Sequence, residues 1–98
     1  MRVTTKAAIL AVGLLSPAVA QETSCTADLR EFNQLKTGMS YRQVAGIIGC
    51  AGSLLSSSDM AGYKSEMFMW EGAGTLGANM NALFQNGKMM MKSQYGLQ

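Results

Sequence analysis

Cys25 and Cys50 are the side chains of this sequence whose chemistry is easiest to name, and that chemistry is oxidation to a disulfide. They are not spaced as a CxxC redox pair, and the chain contains no histidine, so neither thiol has a partner for metal binding or nucleophilic attack. The carboxylates are scattered. Asp28 and Glu31 suit helix capping, Glu66 and Glu71 fall on opposite faces of one extended stretch, and Asp59 stands in a polar segment. The run Gly72-Ala73-Gly74-Thr75-Leu76-Gly77 has the glycine spacing of a phosphate-binding turn, but a strand and not a helix follows it. Without a general base or a metal-ligand cluster, the expectation is a protein that is not an enzyme and that needs no cofactor and no metal.

A disulfide implies an oxidising compartment, and the N-terminus agrees. MRVTTKAAILAVGLLSPAVA opens with Arg2 and Lys6, runs apolar from Ala7 to Leu15, breaks at Pro17 and ends in Ala18-Val19-Ala20. That pattern reads as a signal peptide over residues 1–20, leaving 21–98 as one small exported domain, periplasmic or secreted. Cys25 follows Glu22-Thr23-Ser24 and lacks the leucine of a lipid-attachment box, so no membrane anchor is expected in the mature chain. Once the leader is removed, six Lys and Arg face six Asp and Glu. A neutral chain offers nucleic acid nothing to hold.

The elements that must position these residues begin with two capping boxes. Asp28 with Glu31 opens a first helix bearing Leu29, Phe32 and Leu35, expected to stop at Thr37-Gly38. Ser40 with Gln43 opens a second, bearing Val44, Ile47 and Ile48 and ending at Gly49. Short strands are expected over Ser53–Ser57 and Tyr63–Trp70, joined by a polar loop. Gly72–Gly77 forms a flexible connection, and Asn86-Gly87 marks a tight hairpin between the last two strands. The fold class is therefore α+β, with two short N-terminal helices packed on one face of a four-stranded antiparallel sheet.

Alternation about Asn86-Gly87 sorts the hairpin into two faces. Met80, Ala82, Phe84, Met89 and Met91 form the core side, and Leu83 faces Met90 on the other. The Tyr63–Trp70 strand carries apolar side chains on both faces, Met67 and Met69 on one and Phe68 and Trp70 on the other. A sheet covered on one side should alternate apolar and polar. The excess points to a patch that either receives a partner or lies under the chain's own loop.

The string Phe32-Asn33-Gln34…Gly38-Met39-Ser40-Tyr41-Arg42-Gln43-Val44…Ile48-Gly49, with Phe84-Gln85-Asn86-Gly87-Lys88 and Lys92-Ser93-Gln94-Tyr95-Gly96-Leu97, resembles one repeat of the β-lactamase inhibitory protein family. Its Gly-Met-Ser-x-x-Gln-Val part is also similar to outer-membrane assembly lipoproteins of the BamE/SmpA type. The resemblance implies a helix-turn-helix on a four-stranded sheet, and protein binding through the open sheet face and its loops. Asn81 and Leu83 stand where inhibitor-type members carry aromatic or imidazole side chains, while Tyr95 keeps an aromatic. Simple alternation puts Tyr95 on the core side unless a bulge follows Met89. The candidate contacts are Asp59, Tyr63, Phe68, Trp70, Asn81, Leu83, Met90 and Tyr95. The expected partner is another protein, either a β-lactamase or an envelope component, bound by a monomer or weak homodimer. The narrower alternatives are a β-lactamase inhibitor proper, using Asp59, Tyr63 and Tyr95, and an envelope assembly factor.

Overall fold

The computed structural model describes residues 25–98, so the expected leader and the start of the mature chain lie outside the described residues. Both capping boxes form. Asp28 Oδ1 accepts from the Glu31 N–H at 2.8 Å while Glu31 Oε1 accepts from the Asp28 N–H at 3.0 Å, and α1 runs Leu29–Gln34. Ser40 and Gln43 exchange the same pair of bonds at the head of α2, Tyr41–Ile48. Gly49 closes α2 in the left-handed conformation, as expected. The first helix ends earlier than its sequence suggested, at Leu35 and not at Thr37-Gly38. Leu35 is drawn into the core, and Leu29 is left at the surface.

Four antiparallel strands follow in sequence order: β1 Ser53–Met60, β2 Tyr63–Glu71, β3 Gly74–Gln85 and β4 Lys88–Leu97. The segment expected as a polar loop is instead paired strand. Asp59 lies opposite Lys64, Met60 lies opposite Tyr63, and a two-residue turn at Ala61-Gly62 joins the strands. Both turn residues have positive φ, 52° and 87°, which a right-twisted hairpin favours and alanine resists. Ala61→Asn should therefore raise the stability by roughly 0.5–1 kcal/mol, a gain of a few degrees in a thermal melt. Asn86 already serves the second hairpin this way, and its Oδ1 accepts from the Lys64 N–H at 2.9 Å, tying the two turns together.

The core joins Leu35, Val44 and Ile48 to Trp70, Met80, Ala82, Phe84 and Met89, with Ala27 and Leu97 at one end. Trp70 lies opposite Met80 and Phe68 opposite Ala82, so these side chains share a face of the sheet. Tyr41 of α2 meets that face: its ring stacks on Phe68 at 4.4 Å and meets Phe84 edge-on at 5.7 Å. The Trp70 Nε1–H donates to the Cys50 carbonyl at 2.9 Å, so the buried indole leaves no polar atom unpaired. Gly52 lies so close to the indole that a Cβ there would stand 2.6 Å from it.

One expected core residue moves. Phe84 is opposite Met89, but Leu83 is opposite Met91 and Ala82 is opposite Lys92, so Met90 is the extra residue of a bulge. Met91 accordingly leaves the core and is exposed, and the expected Leu83–Met90 pair is replaced by Leu83–Met91. Two contacts account for the slip. The Gly38 and Met39 backbone exchanges hydrogen bonds with Met89 at 2.8 and 2.7 Å, fixing that residue. Beyond it, the Lys92 Nζ donates to the carbonyls of Phe32 and Leu35 at 2.7 and 3.0 Å and lies 4.3 Å from the Phe32 ring centre. Lys92 thus satisfies carbonyls at the end of α1, a position where a cation is favourable. Burial, with Lys36 nearby, lowers the Lys92 pKa from its ordinary value.

Cys25 and Cys50 are bonded, as the sequence implied, with Cα atoms 6.2 Å apart. The bond fastens the segment leading into α1 to the residue that follows α2 and its Gly49 cap. Closing a loop of this length contributes about 3 kcal/mol by restricting the unfolded chain. Reduction should lower the melting temperature by roughly ten degrees, and an unchanged melt in the presence of dithiothreitol would refute the contribution.

Candidate functional site

Strand register and the bulge together decide what the other face of the sheet presents. Opposed pairs on that face are Met60–Tyr63, Met67–Leu83, Leu83–Met91, Met69–Asn81, Asn81–Ser93 and Asn79–Tyr95. The extra residue in β4 brings Tyr95 here, fulfilling the condition set by its sequence position. Tyr63, Met60, Met91 and Tyr95 are exposed, while Met67, Met69 and Leu83 are half-buried among their neighbours. A shallow depression of about 40 Å³ is lined by Met67, Asn81, Leu83, Met91, Lys92 and Ser93 at the middle of the face.

At one end of the face β3 departs from its partner. Gly74 pairs with Leu97 and Asn79 pairs with Tyr95, so the intervening residues of β3 bow outward from β4. Leu76, at the crest of that bow, is 100 % exposed. An open groove of about 670 Å³ runs beside the bow, lined by Met69, Glu71, Gly72, Asn79 and residues 74–78. The residues expected to form a flexible connection are therefore partly strand, and they build a wall.

The candidate contacts divide accordingly. Tyr63, Asn81, Leu83 and Tyr95 share the open face. Trp70 and Phe68 do not: Trp70 is 2 % exposed and Phe68 stacks on Tyr41, so both belong to the core as a consequence of strand parity. Asp59 is exposed but sits in β1 with the opposite parity to Tyr63, so the two project from opposite sides of the hairpin. Met90 is exposed in the bulge, outside the regular alternation. Met60, Met67, Met69, Met91 and Leu76 were not among the contacts expected from sequence. The alternation of the Tyr63–Trp70 strand held the signal for Met67 and Met69, and Leu76 is marked only as an apolar residue between two glycines.

The face is nearly uncharged. Glu71 stands at one end and Lys88 at the other. Glu66 lies on the helix side, 3.9 Å from Lys64. Among the described residues no three of His, Cys, Asp and Glu gather where they could hold a metal ion, and no helix is long and apolar enough to cross a membrane. The arrangement sets methionine, leucine and tyrosine side chains among serine and amide groups on one weakly charged face.

The family model described as beta-lactamase inhibitor (BLIP) matches residues 28–98. The chain belongs to the β-lactamase inhibitor family. Comparison with curated proteins gives no match. Among solved structures, a "putative beta-lactamase inhibitor protein" from Streptococcus mutans is similar at a TM-score of 0.64 and 22 % identity. The alignment covers 76 % of this chain and 47 % of that one, so this chain spans about half the length of its structural neighbour. At that identity the likeness speaks for the fold alone.

Proposed function

We propose that this protein is an exported, non-enzymatic module that binds another protein across the open sheet face, and that a β-lactamase is the partner its family membership favours. One observation carries the reading. Side chains of all four strands, from Met60 and Tyr63 through Met67, Met69 and Leu83 to Met91 and Tyr95, lie on one weakly charged face opposite the face that Tyr41 meets, interleaved with Ser58, Ser65, Gln85, Asn81 and Ser93. Apolar side chains gathered on one exposed face cost nothing in a complex and gain from being covered. Tyr63 and Tyr95 add phenol groups, the side chains most often found at contact hot spots. The Leu76 crest and the groove behind it give the surface relief, so that a protruding loop of the partner has a place to enter.

The disulfide and the family membership favour an oxidising location outside the cytoplasm. The test is a titration of the purified protein against a panel of β-lactamases, following hydrolysis of a chromogenic cephalosporin. Inhibition at or below micromolar concentration of the module is the expected result. Full activity of every enzyme at that concentration would remove β-lactamases as partners.

A further inference from the structure

Thioethers are distributed unevenly over this molecule. Met80 and Met89 are buried in the core, 0 % and 1 % exposed. By contrast Met60, Met67, Met69 and Met91 all lie on the open face, where Met60 is 72 % and Met91 62 % exposed. Other groups that a two-electron oxidant could attack are withheld. Both cysteines are already in the disulfide, Trp70 is buried beneath Gly52 and the Cys50 carbonyl, and the chain has no histidine. Met39, near the helices, is partly buried and its sulfur accepts from the Lys36 N–H at 3.5 Å. An oxidant reaching the folded protein therefore meets sulfur chiefly on the open face and on the neighbouring bulge residue Met90.

We propose that the open face is a reversible methionine-oxidation site, at which sulfoxide formation at Met91 and Met60 turns the apolar spots of the docking surface polar without unfolding the domain. The reaction is a single oxygen transfer. A hydroperoxide gives its terminal oxygen to the thioether sulfur, the sulfur loses two electrons in forming the S–O bond, the O–O bond breaks, and water or an alcohol leaves. The sulfoxide oxygen is a strong hydrogen-bond acceptor, and covering it with an apolar partner leaves it unpaired. Met91 opposes Leu83 at the centre of the face, so one oxygen there lies where a partner would exclude water most completely. Met80 and Met89 keep their thioethers because no oxidant reaches them while the core is closed. A dithiol-dependent sulfoxide reductase returns the sulfur to the thioether, with water and a disulfide as the other products.

This inference rests on the open face being the docking surface, but it can be tested without any β-lactamase. The disulfide-bonded protein is treated with graded hydrogen peroxide and analysed by peptide mass mapping, thermal melting and fluorescence of bis-ANS, a dye that reports exposed apolar surface. The expected result is one added oxygen at Met60 and at Met91 while Met80 and Met89 stay unmodified. The melting temperature should stay within about two degrees of the untreated protein, and dye fluorescence should fall at least about threefold and recover after treatment with methionine sulfoxide reductase. Oxidation of Met80 or Met89 in step with Met91, or dye binding unchanged with both surface sulfoxides in place, would overturn the proposal. Failure of the β-lactamase titration alone would leave these readings untouched, so the two ideas fail separately.

Discussion

Phe84→Ala should remove about 3–5 kcal/mol of stability. Phe84 is fully buried, lies opposite Met89, and meets Tyr41 at 5.7 Å and Phe68 at 5.8 Å, both edge-on. It is the residue at which the second helix, the second strand and the final hairpin converge. Truncation removes the apolar contacts of the ring and leaves a cavity whose walls are three elements that cannot all collapse into it. A domain of this size holds roughly 4–11 kcal/mol in total, so the loss is a large share of it. Urea denaturation should show the midpoint shifted far toward low denaturant with an unchanged slope. A loss below about 1 kcal/mol would mean that the aromatic cluster is not what joins α2 to the sheet.

The same magnitude argument, applied to the opposite face, gives the opposite expectation for stability. Leu83 and Met91 are cross-strand neighbours at the centre of the open face. Replacing both by serine removes apolar contact that is only partly shielded from water, and the expected change in melting temperature is under about three degrees. The effect on binding should be large. Each side chain carries about 1.5–3 kcal/mol of burial free energy when a partner covers it, so affinity should fall by two orders of magnitude or more. A fall of ten degrees in the melt would show that the face is already covered in the free protein.

Much of the fold was legible because its determinants are local. Each capping box occupies four consecutive residues, and Asn86-Gly87 states its turn in two. The bulge at Met90 was not legible in the same way, since nothing within Met89-Met90-Met91 selects it. It follows from Met89 being held by the backbone at Gly38 and Met39, and from Lys92 reaching Phe32 and Leu35, contacts between residues some fifty to sixty positions apart. That single residue reverses the parity of everything after it, which is why Met91 moved out of the core and Tyr95 moved onto the open face. The Ala61-Gly62 turn escaped for a different reason. Alanine has no preference for positive φ, and strand pairing on both sides imposed it.

For the candidate site, the sequence carried the existence of an apolar excess but not its side. Strand alternation makes Met67 with Met69, and Phe68 with Trp70, equally good candidates for burial. The choice is made by α2, whose Tyr41 stacks on Phe68, and by the Cys50 carbonyl, which accepts the Trp70 indole N–H. Burying Trp70 in this way leaves the methionines outside. The open face therefore owes its methionine-rich character to a packing decision made on the other side of the sheet.

The measurement that bears most directly on the open face as docking surface is site-specific photocrosslinking in the cell that makes the protein, with the reactive group at position 83 in one protein and at position 42 in another. Arg42 lies exposed on α2, away from the open face, and serves as the comparison. A discrete adduct with a second protein from position 83, and none from position 42, is the predicted result. An adduct from position 42 with none from position 83 would place the partner on the helices and contradict the account.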